Sequence, residues 1–284
     1  MFFTKMQGAG NDFVVIKTKN NLSDWASLAV KMCERHYGIG ADGLLISLPS
    51  KIADFKMRIF NADGSESAVC GNGLRCLVKN YLESNPDQGL SDITIETSIG
   101  IRTAKVNRRD GKITRIQVNM DRPEIGVDCI PVNEIGKTNI IDITTSMNQV
   151  IGIAGRELLL SVISIGNPHA VYFSKSEIHD FPLKIIGSKV ETNKMFSHGT
   201  NFEVVRIINR KRVEARVWER GVGETKACGS GACAIVVAGS LLGWLDNKVE
   251  VNLPGGTLKV NWDINNDYNV YLGGPAATIF HGEW

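Results

Sequence analysis

The chain has 284 residues, more than one small core needs, and its 43% hydrophobic and 22% charged content is that of a globular protein, not a disordered or fibrous one. Lys and Arg (32) nearly balance Asp and Glu (30), and no long basic run appears, so nucleic acid and anionic membrane are poor partners for it. The start, Met1-Phe2-Phe3-Thr4-Lys5-Met6-Gln7-Gly8, turns polar too soon for a secretory signal, and no apolar run reaches the length of a membrane span, so a cytoplasmic protein with reduced thiols is expected.

Along the chain, Thr4 to Gln7 and Phe13 to Ile16 read as strands joined by a glycine turn at Gly8-Ala9-Gly10. Asp24 to Tyr37 has helical periodicity and should end near Gly38. Gly38 to Gly43 is a tight loop before the strand Leu44 to Ile46, and Phe55 to Phe60 alternates as a strand that delivers Asn61. After a first helix beginning at or just after Cys70, Ile93 to Glu96, Ile101 to Val106 and Ile113 to Met120 are further strands. From 121 to about 160 the pattern loosens, with short β-like runs at Asn139 to Ile143 and Gln149 to Ile153; this stretch reads as scaffold or interface.

The second half repeats the first. Cys70-Gly71-Asn72-Gly73 returns as Cys228-Gly229-Ser230-Gly231, displaced by 158 residues (228 − 70), and each cysteine follows a glutamate by four positions, Glu66 and Glu224. Gly10-Asn11 returns as Gly166-Asn167, Gly43-Leu44 as Asn201-Phe202, and Arg58 to Asn61 as Arg216 to Glu219. Collinear blocks at near-constant offset argue for a duplicated domain. The expected fold is α+β: two pseudo-symmetric domains, each a curved, mostly antiparallel sheet wrapped around a central helix. The first would cover 1–121, completed by 275–284, and the second 122–274.

Six cysteines are present, and the spacings Cys70–Cys76 and Cys228–Cys233 suit neither a disulfide framework nor a zinc site. Cys33, Cys76, Cys129 and Cys233 read as small buried residues. Cys70 and Cys228 differ, because glycine loops place each before a helix, where unpaired N–H groups favour the thiolate. A pseudo-twofold axis would bring both loops to a cleft between domains. There one thiolate could remove a proton from one face of a carbon and the other thiol return one to the opposite face, inverting a stereocentre. Backbone N–H groups at Gly71-Asn72 and Gly229-Ser230 could hold a carboxylate or developing enolate. His169 reads as a structural hydrogen-bond partner, not a base, and Gly8-Ala9-Gly10 lacks the rest of a phosphate loop.

The segments Gly8-Ala9-Gly10-Asn11-Asp12-Phe13, Phe60-Asn61-Ala62-Asp63-Gly64-Ser65-Glu66, Cys70-Gly71-Asn72-Gly73-Leu74-Arg75-Cys76, Gly166-Asn167-Pro168-His169, Glu219-Arg220-Gly221-Val222-Gly223-Glu224-Thr225 and Ala227-Cys228-Gly229-Ser230-Gly231 resemble the diaminopimelate epimerase family, in family order over nearly the whole chain. The resemblance implies a two-base epimerisation of LL- and meso-2,6-diaminopimelate in lysine biosynthesis, without PLP, other cofactor or metal. It implies Cys70 and Cys228 as the catalytic pair and a substrate-binding set of Asn11, Asn61, Gly71, Asn72, Asn167, Asn201, Glu219, Arg220, Gly229 and Ser230. It also implies a small amino-acid substrate and a homodimer. Some family members carry glutamine where this chain has Gly43, so one side-chain contact is absent here. Two other readings compete: a racemase of the same fold acting on histidine or a proline derivative, and a non-catalytic amino-acid-binding or thiol redox-sensing protein. The presence of Glu219-Arg220 and the asparagine set counts against the latter.

Overall fold

A computed structural model describes residues 1–19, 24–67, 70–86, 90–125, 147–153 and 155–284. Cys129 and the run 139–143 lie outside the described residues. The first elements are β1 (Phe2–Gly8), β2 (Asn11–Lys17), α1 (Trp25–Cys33), β3 (Gly43–Leu48), β4 (Phe55–Asn61) and β5 (Glu66–Ser67). Then follow α2 (Gly71–Glu83), β6 (Asp92–Thr97), β7 (Gly100–Arg109), β8 (Lys112–Asn119), β9 (Glu124–Ile125), β10 (Asn148–Ile153), β11 (Arg156–Ser164) and β12 (Pro168–Ser174). The chain continues through α3 (Leu183–Glu191), β13 (Asn201–Asn209), β14 (Arg212–Glu219), β15 (Gly223–Thr225) and α4 (Gly229–Leu241). It ends with β16 (Lys248–Leu253), β17 (Gly256–Trp262), β18 (Val270–Gly274) and β19 (Ala277–Glu283).

The described residues form two compact units, one of Met1–Asn119 with Gly273–Trp284, the other of Met120–Leu272. In the first, β1 pairs antiparallel with both β2 and β19, so the C-terminal strand belongs to the N-terminal unit. β2 and β3 run parallel, β3 and β4 antiparallel, β4 and β6 parallel, and β6, β7 and β8 form antiparallel pairs. The second unit repeats this pattern: β11 and β12 antiparallel, β12 and β13 parallel, β13 and β14 antiparallel, β14 and β16 parallel, β16 and β17 antiparallel.

Each sheet wraps one helix. α2 packs against β1, β2, β3, β4, β8 and β19, and α4 against β11, β12, β13, β16 and β17. A helix surrounded on all sides needs apolar side chains all round. In α4, Ala232, Cys233, Ala234, Ile235, Val236, Val237 and Ala238 are all fully buried. α2 instead buries Arg75, whose guanidinium donates to the carbonyls of Gly71 and Pro275 and to Asn72 Oδ1, so each of its three nitrogens has an acceptor.

Two helices differ from the sequence expectation. α1 stops at Cys33, four residues short of Tyr37. Glu34 turns its carboxylate to accept from the N–H groups of His36 and Tyr37, while the N–H groups of Ile39 and Gly40 both return to Met32 O. The segment thus closes around the helix end instead of extending it. α3 was not legible as a helix, although it stands at the repeat offset from α1 (183 − 25 = 158). It starts at Pro182 with no side-chain cap, so the usual start signal is missing.

Candidate active site

Each unit places one of the two sequence-predicted cysteines at a helix start. Cys70 and Cys228 are the N-cap residues of α2 and α4, both in extended backbone conformation (φ −138°, ψ 117° and φ −118°, ψ 119°). In each, Sγ accepts from the N–H three residues on, Gly73 N at 3.5 Å and Gly231 N at 3.4 Å. Sulfur thus takes the place of the Ser or Asp oxygen that ordinarily caps a helix. The two glutamates four residues upstream have a structural role. Arg58 of β4 forks Glu66 (2.7 and 2.9 Å), and Arg216 of β14 forks Glu224 (2.9 and 3.1 Å), closing each cysteine approach onto the strand before it.

In the first unit the β1–β2 turn sets Asn11. Ala9 and Gly10 both have positive φ (54° and 79°), the two-residue turn that matches strand twist, and Gly8 pairs with Asn11 across it. Asn11 Nδ2 donates to Asp42 Oδ2 (2.7 Å), which fixes the amide; its Oδ1 faces Cys70 Sγ at 3.7 Å and accepts from Asn72 Nδ2 at 3.3 Å. Asp42 also accepts from Asp12 N and is bridged to Asp12 by Arg35. Lys5, 6% exposed despite its charge, donates to Asp12 Oδ2 at 2.6 Å and to the carbonyl of Gly40. Burial alone would raise the Asp12 carboxyl, but Arg35 and Lys5 outweigh it and bring it down to about 2. Asn61, at the end of β4, is exposed and donates to Ser65 Oγ at 2.9 Å; no hydrogen bond to Cys70 joins it. Gly71 and Asn72, in the first turn of α2, are buried.

In the second unit Cys228 Sγ lies 3.4 Å from Ser230 Oγ, with Gly229 buried in the first turn of α4. Glu219 ends β14, takes a hydrogen bond from Thr225 Oγ1, and has its carboxyl raised by burial. Asn201 opens β13, donates to Pro168 O (2.8 Å), and accepts from Arg220 N (2.9 Å). The Arg220 guanidinium is exposed and donates to His198 O at 2.9 Å. Asn167 Oδ1 lies 3.0 Å from His169 Nε2, and His169 Nδ1 lies 2.7 Å from Glu203 Oε1. Glu203 is the residue the sequence reading missed. Its signal is a lone carboxylate inside the apolar strand Phe202-Glu203-Val204-Val205.

The expectation of a favoured thiolate fails at Cys228. Burial pushes its thiol well above the ordinary value, and the carboxylates of Glu219 and Glu203 push it further; Ser230 and Gly231 N–H offset only part. The resting residue is held as the thiol. Cys33 and Cys76 are raised by burial to about 11 and about 12, as suits inert core residues. Cys33, Cys70, Cys76, Cys228 and Cys233 all carry unbridged sulfur. Among the described residues, no group of three or more His, Cys, Asp or Glu is placed to hold a metal ion, and no helix is long and apolar enough to cross a membrane.

The chain as a whole is similar to known proteins. A family model described as diaminopimelate epimerase matches residues 3–126 and 161–279. The diaminopimelate epimerase of Acetivibrio thermocellus is 41% identical over 290 residues, covering 100% of this chain and 98% of its own. That of Carboxydothermus hydrogenoformans is 43% identical over 292 residues, covering 100% and 99%. Solved structures share the fold at low identity. A hydroxyproline epimerase from Agrobacterium vitis has TM-score 0.69 at 13% identity, covering 99% of this chain and 90% of its own. A phenazine biosynthesis protein of the PhzF family from Bacillus anthracis has TM-score 0.67 at 15% identity, covering 100% and 98%. With the family model and relatives above 40% identity spanning the whole chain, this protein belongs to the diaminopimelate epimerase family.

Proposed function

We propose that the protein is an isomerase that interconverts LL- and meso-2,6-diaminopimelate, a step of lysine biosynthesis, using Cys70 and Cys228 as its two bases. The observation that carries this reading is the matched pair of cysteine N-caps, each sulfur held by a helix N–H at 3.4–3.5 Å. One thiolate takes the α-proton, leaving the electron pair of the C–H bond on carbon. The other thiol gives its proton to the opposite face, so the two sulfurs exchange protonation states in each turnover. Cys228, held as the thiol at rest, suits the donor's part. Backbone N–H groups at Gly71, Asn72, Gly229 and Ser230 offer the electropositive helix starts an α-carboxylate needs, and would stabilise charge spreading onto its oxygens.

The remaining set suits the substrate's ammonium and carboxylate groups, with Asn11 beside Cys70 at the reacting end. Glu219 supplies a carboxylate for an ammonium, Arg220 a planar fork for a carboxylate, and Asn11, Asn61, Asn167 and Asn201 amides that can serve either. Purified protein in deuterated buffer under reducing conditions is expected to exchange the α-hydrogen of diaminopimelate and not that of proline or histidine. Epimerisation lost in both Cys70→Ala and Cys228→Ala supports the pairing; full activity in either variant refutes it.

The same reading places the enzyme in the cytoplasm as a homodimer. Phe2, Ile279, Phe280 and Trp284, on β1, β19 and the residue beyond, are exposed apolar side chains that a second copy would cover. Sedimentation of the purified protein at the monomer mass would refute the dimer.

A further inference from the structure

The turn that carries Glu219 and Arg220 is braced from outside, by the last residue of α3. Glu219 O accepts from Val222 N at 3.1 Å, closing a four-residue turn whose third residue, Gly221, has φ 76°. Such a turn gives its two central N–H groups no partner of its own. Here Asn201 Oδ1 accepts from Arg220 N at 2.9 Å, and Glu191 Oε1 accepts from Gly221 N at 2.7 Å. The second oxygen of the same carboxylate accepts from Trp218 Nε1 at 2.6 Å. Glu191 thus grips the chain on both sides of Glu219-Arg220, at 218 and at 221. The Arg220 side chain runs close by, its Nη1 donating to His198 O at 2.9 Å. Gly199, at φ 71°, leaves room for this: a Cβ there would stand 3.1 Å from Arg220 Cδ and 3.2 Å from Glu191 O.

α3 itself gains nothing from this carboxylate, because a negative charge in the last turn of a helix faces the negative end of its dipole. Nor does the repeat demand it. The position equivalent to Glu191 is Cys33 (191 − 158), the buried last residue of α1, and Phe60 stands where the second unit has Trp218 (218 − 158). The corresponding turn of the first unit closes with the same kind of bond, Gly64 N to Asn61 O at 2.9 Å. It is braced from within, since Asp63 Oδ1 accepts from Ser65 N and Ser65 Oγ at 2.9 and 2.6 Å. That turn carries Asn61, a neutral amide. The turn with the outside brace carries a carboxyl and a guanidinium.

We propose that Glu191 is a positioning residue for substrate binding. By bonding both Trp218 and Gly221 it fixes the turn in the conformation that presents Glu219 and Arg220 to the charged groups of the substrate. The inference rests on the functional reading above. It gives α3 a part in recognition. Glu191 acts on the substrate only through these neighbours, so it should govern KM more than kcat.

Both partners of Glu191 are N–H donors, and the carboxylate serves each with one oxygen. Glu191→Gln keeps the shape but has a single oxygen to accept with, and its NH2 meets the other donor. The readout is kcat and KM for deuterium exchange into diaminopimelate by the full-length enzyme. Glu191→Gln is expected to raise KM roughly tenfold or more with a smaller change in kcat, the scale of one hydrogen bond to a charged group. Trp218→Phe, which matches the equivalent Phe60, removes one of the two donors and should raise KM in the same direction; it decides alone if Glu191→Gln yields no folded protein. In the Trp218→Phe background one oxygen suffices for Gly221 N, so Glu191→Gln should add less than about twofold. An unchanged KM in either single variant, or a Glu191→Gln penalty of equal size in both backgrounds, overturns the inference while leaving the epimerase reading intact. No exchange in the unaltered enzyme would overturn both.

Discussion

Asp12→Asn probes the ion cluster beneath Asn11. In the folded protein the Asp12 carboxyl lies at about 2, against an ordinary 3.8, because Arg35 and Lys5 outweigh the opposing effect of burial. A tenfold change in proton affinity is about 1.4 kcal/mol, so this lowering contributes roughly 2 kcal/mol to stability at neutral pH. The Asp12 side chain is only 18% exposed, so little of that is lost to solvent screening. Since the folded value is the lower one, the contribution is fully present above about pH 4 and is lost as pH falls toward 2. Asp12→Asn removes the whole contribution and leaves the buried Lys5 ammonium with neutral acceptors only, the Gly40 carbonyl among them. Urea unfolding of both proteins between pH 7 and pH 2 should show a gap of roughly 2 kcal/mol or more at neutral pH, narrowing by roughly 2 kcal/mol below pH 4. A gap that stays constant across that range would refute the assignment of the acid-sensitive stability to Asp12.

Three further outcomes are expected. Glu219→Gln removes a negative charge that raises the Cys228 thiol, so the pH profile for iodoacetamide alkylation of Cys228 in substrate-free enzyme should move to lower pH; a shift upward would contradict the electrostatics described. Gly231→Ala places a Cβ 2.6 Å from Glu203 Oε1 and should cost about 1–3 kcal/mol as well as activity, whereas Gly73→Ala meets only the movable end of Leu45 and should cost under ~1 kcal/mol in chemical denaturation. Gly187→Ala drives a Cβ to 2.7 Å from the Trp218 ring and should lower stability by about 1–3 kcal/mol, with a change in tryptophan fluorescence as the local reporter.

Features set by neighbours in sequence were legible from the residues alone. The cysteines before their helices, the Gly8 to Asn11 turn and the two apolar-faced helices all announce themselves within a few positions, and the repeat doubled each signal. What was not legible depends on partners far along the chain. Lys5 sits in an alternating strand like any surface lysine, and only Asp12 and Gly40 bury it. The favoured thiolate at Cys228 follows from the helix start, but burial reverses it, helped by the carboxylates of Glu219 and Glu203, 9 and 25 residues earlier (228 − 219 and 228 − 203). Glu203 passed unnoticed as one carboxylate in an apolar strand, because its partner His169 lies 34 residues earlier.

If the two sulfurs are the bases, the cysteine N-caps make the reacting atoms also the atoms that begin the two central helices. A thiolate accepts a hydrogen bond more strongly than a thiol. On the two-base reading, each proton transfer therefore tightens one helix start as it slackens the other, and the reverse reaction swaps them. Substrate turnover would then be written into the backbone as an alternation, with amide protection at Gly73 and Gly231 rising and falling in opposite phase.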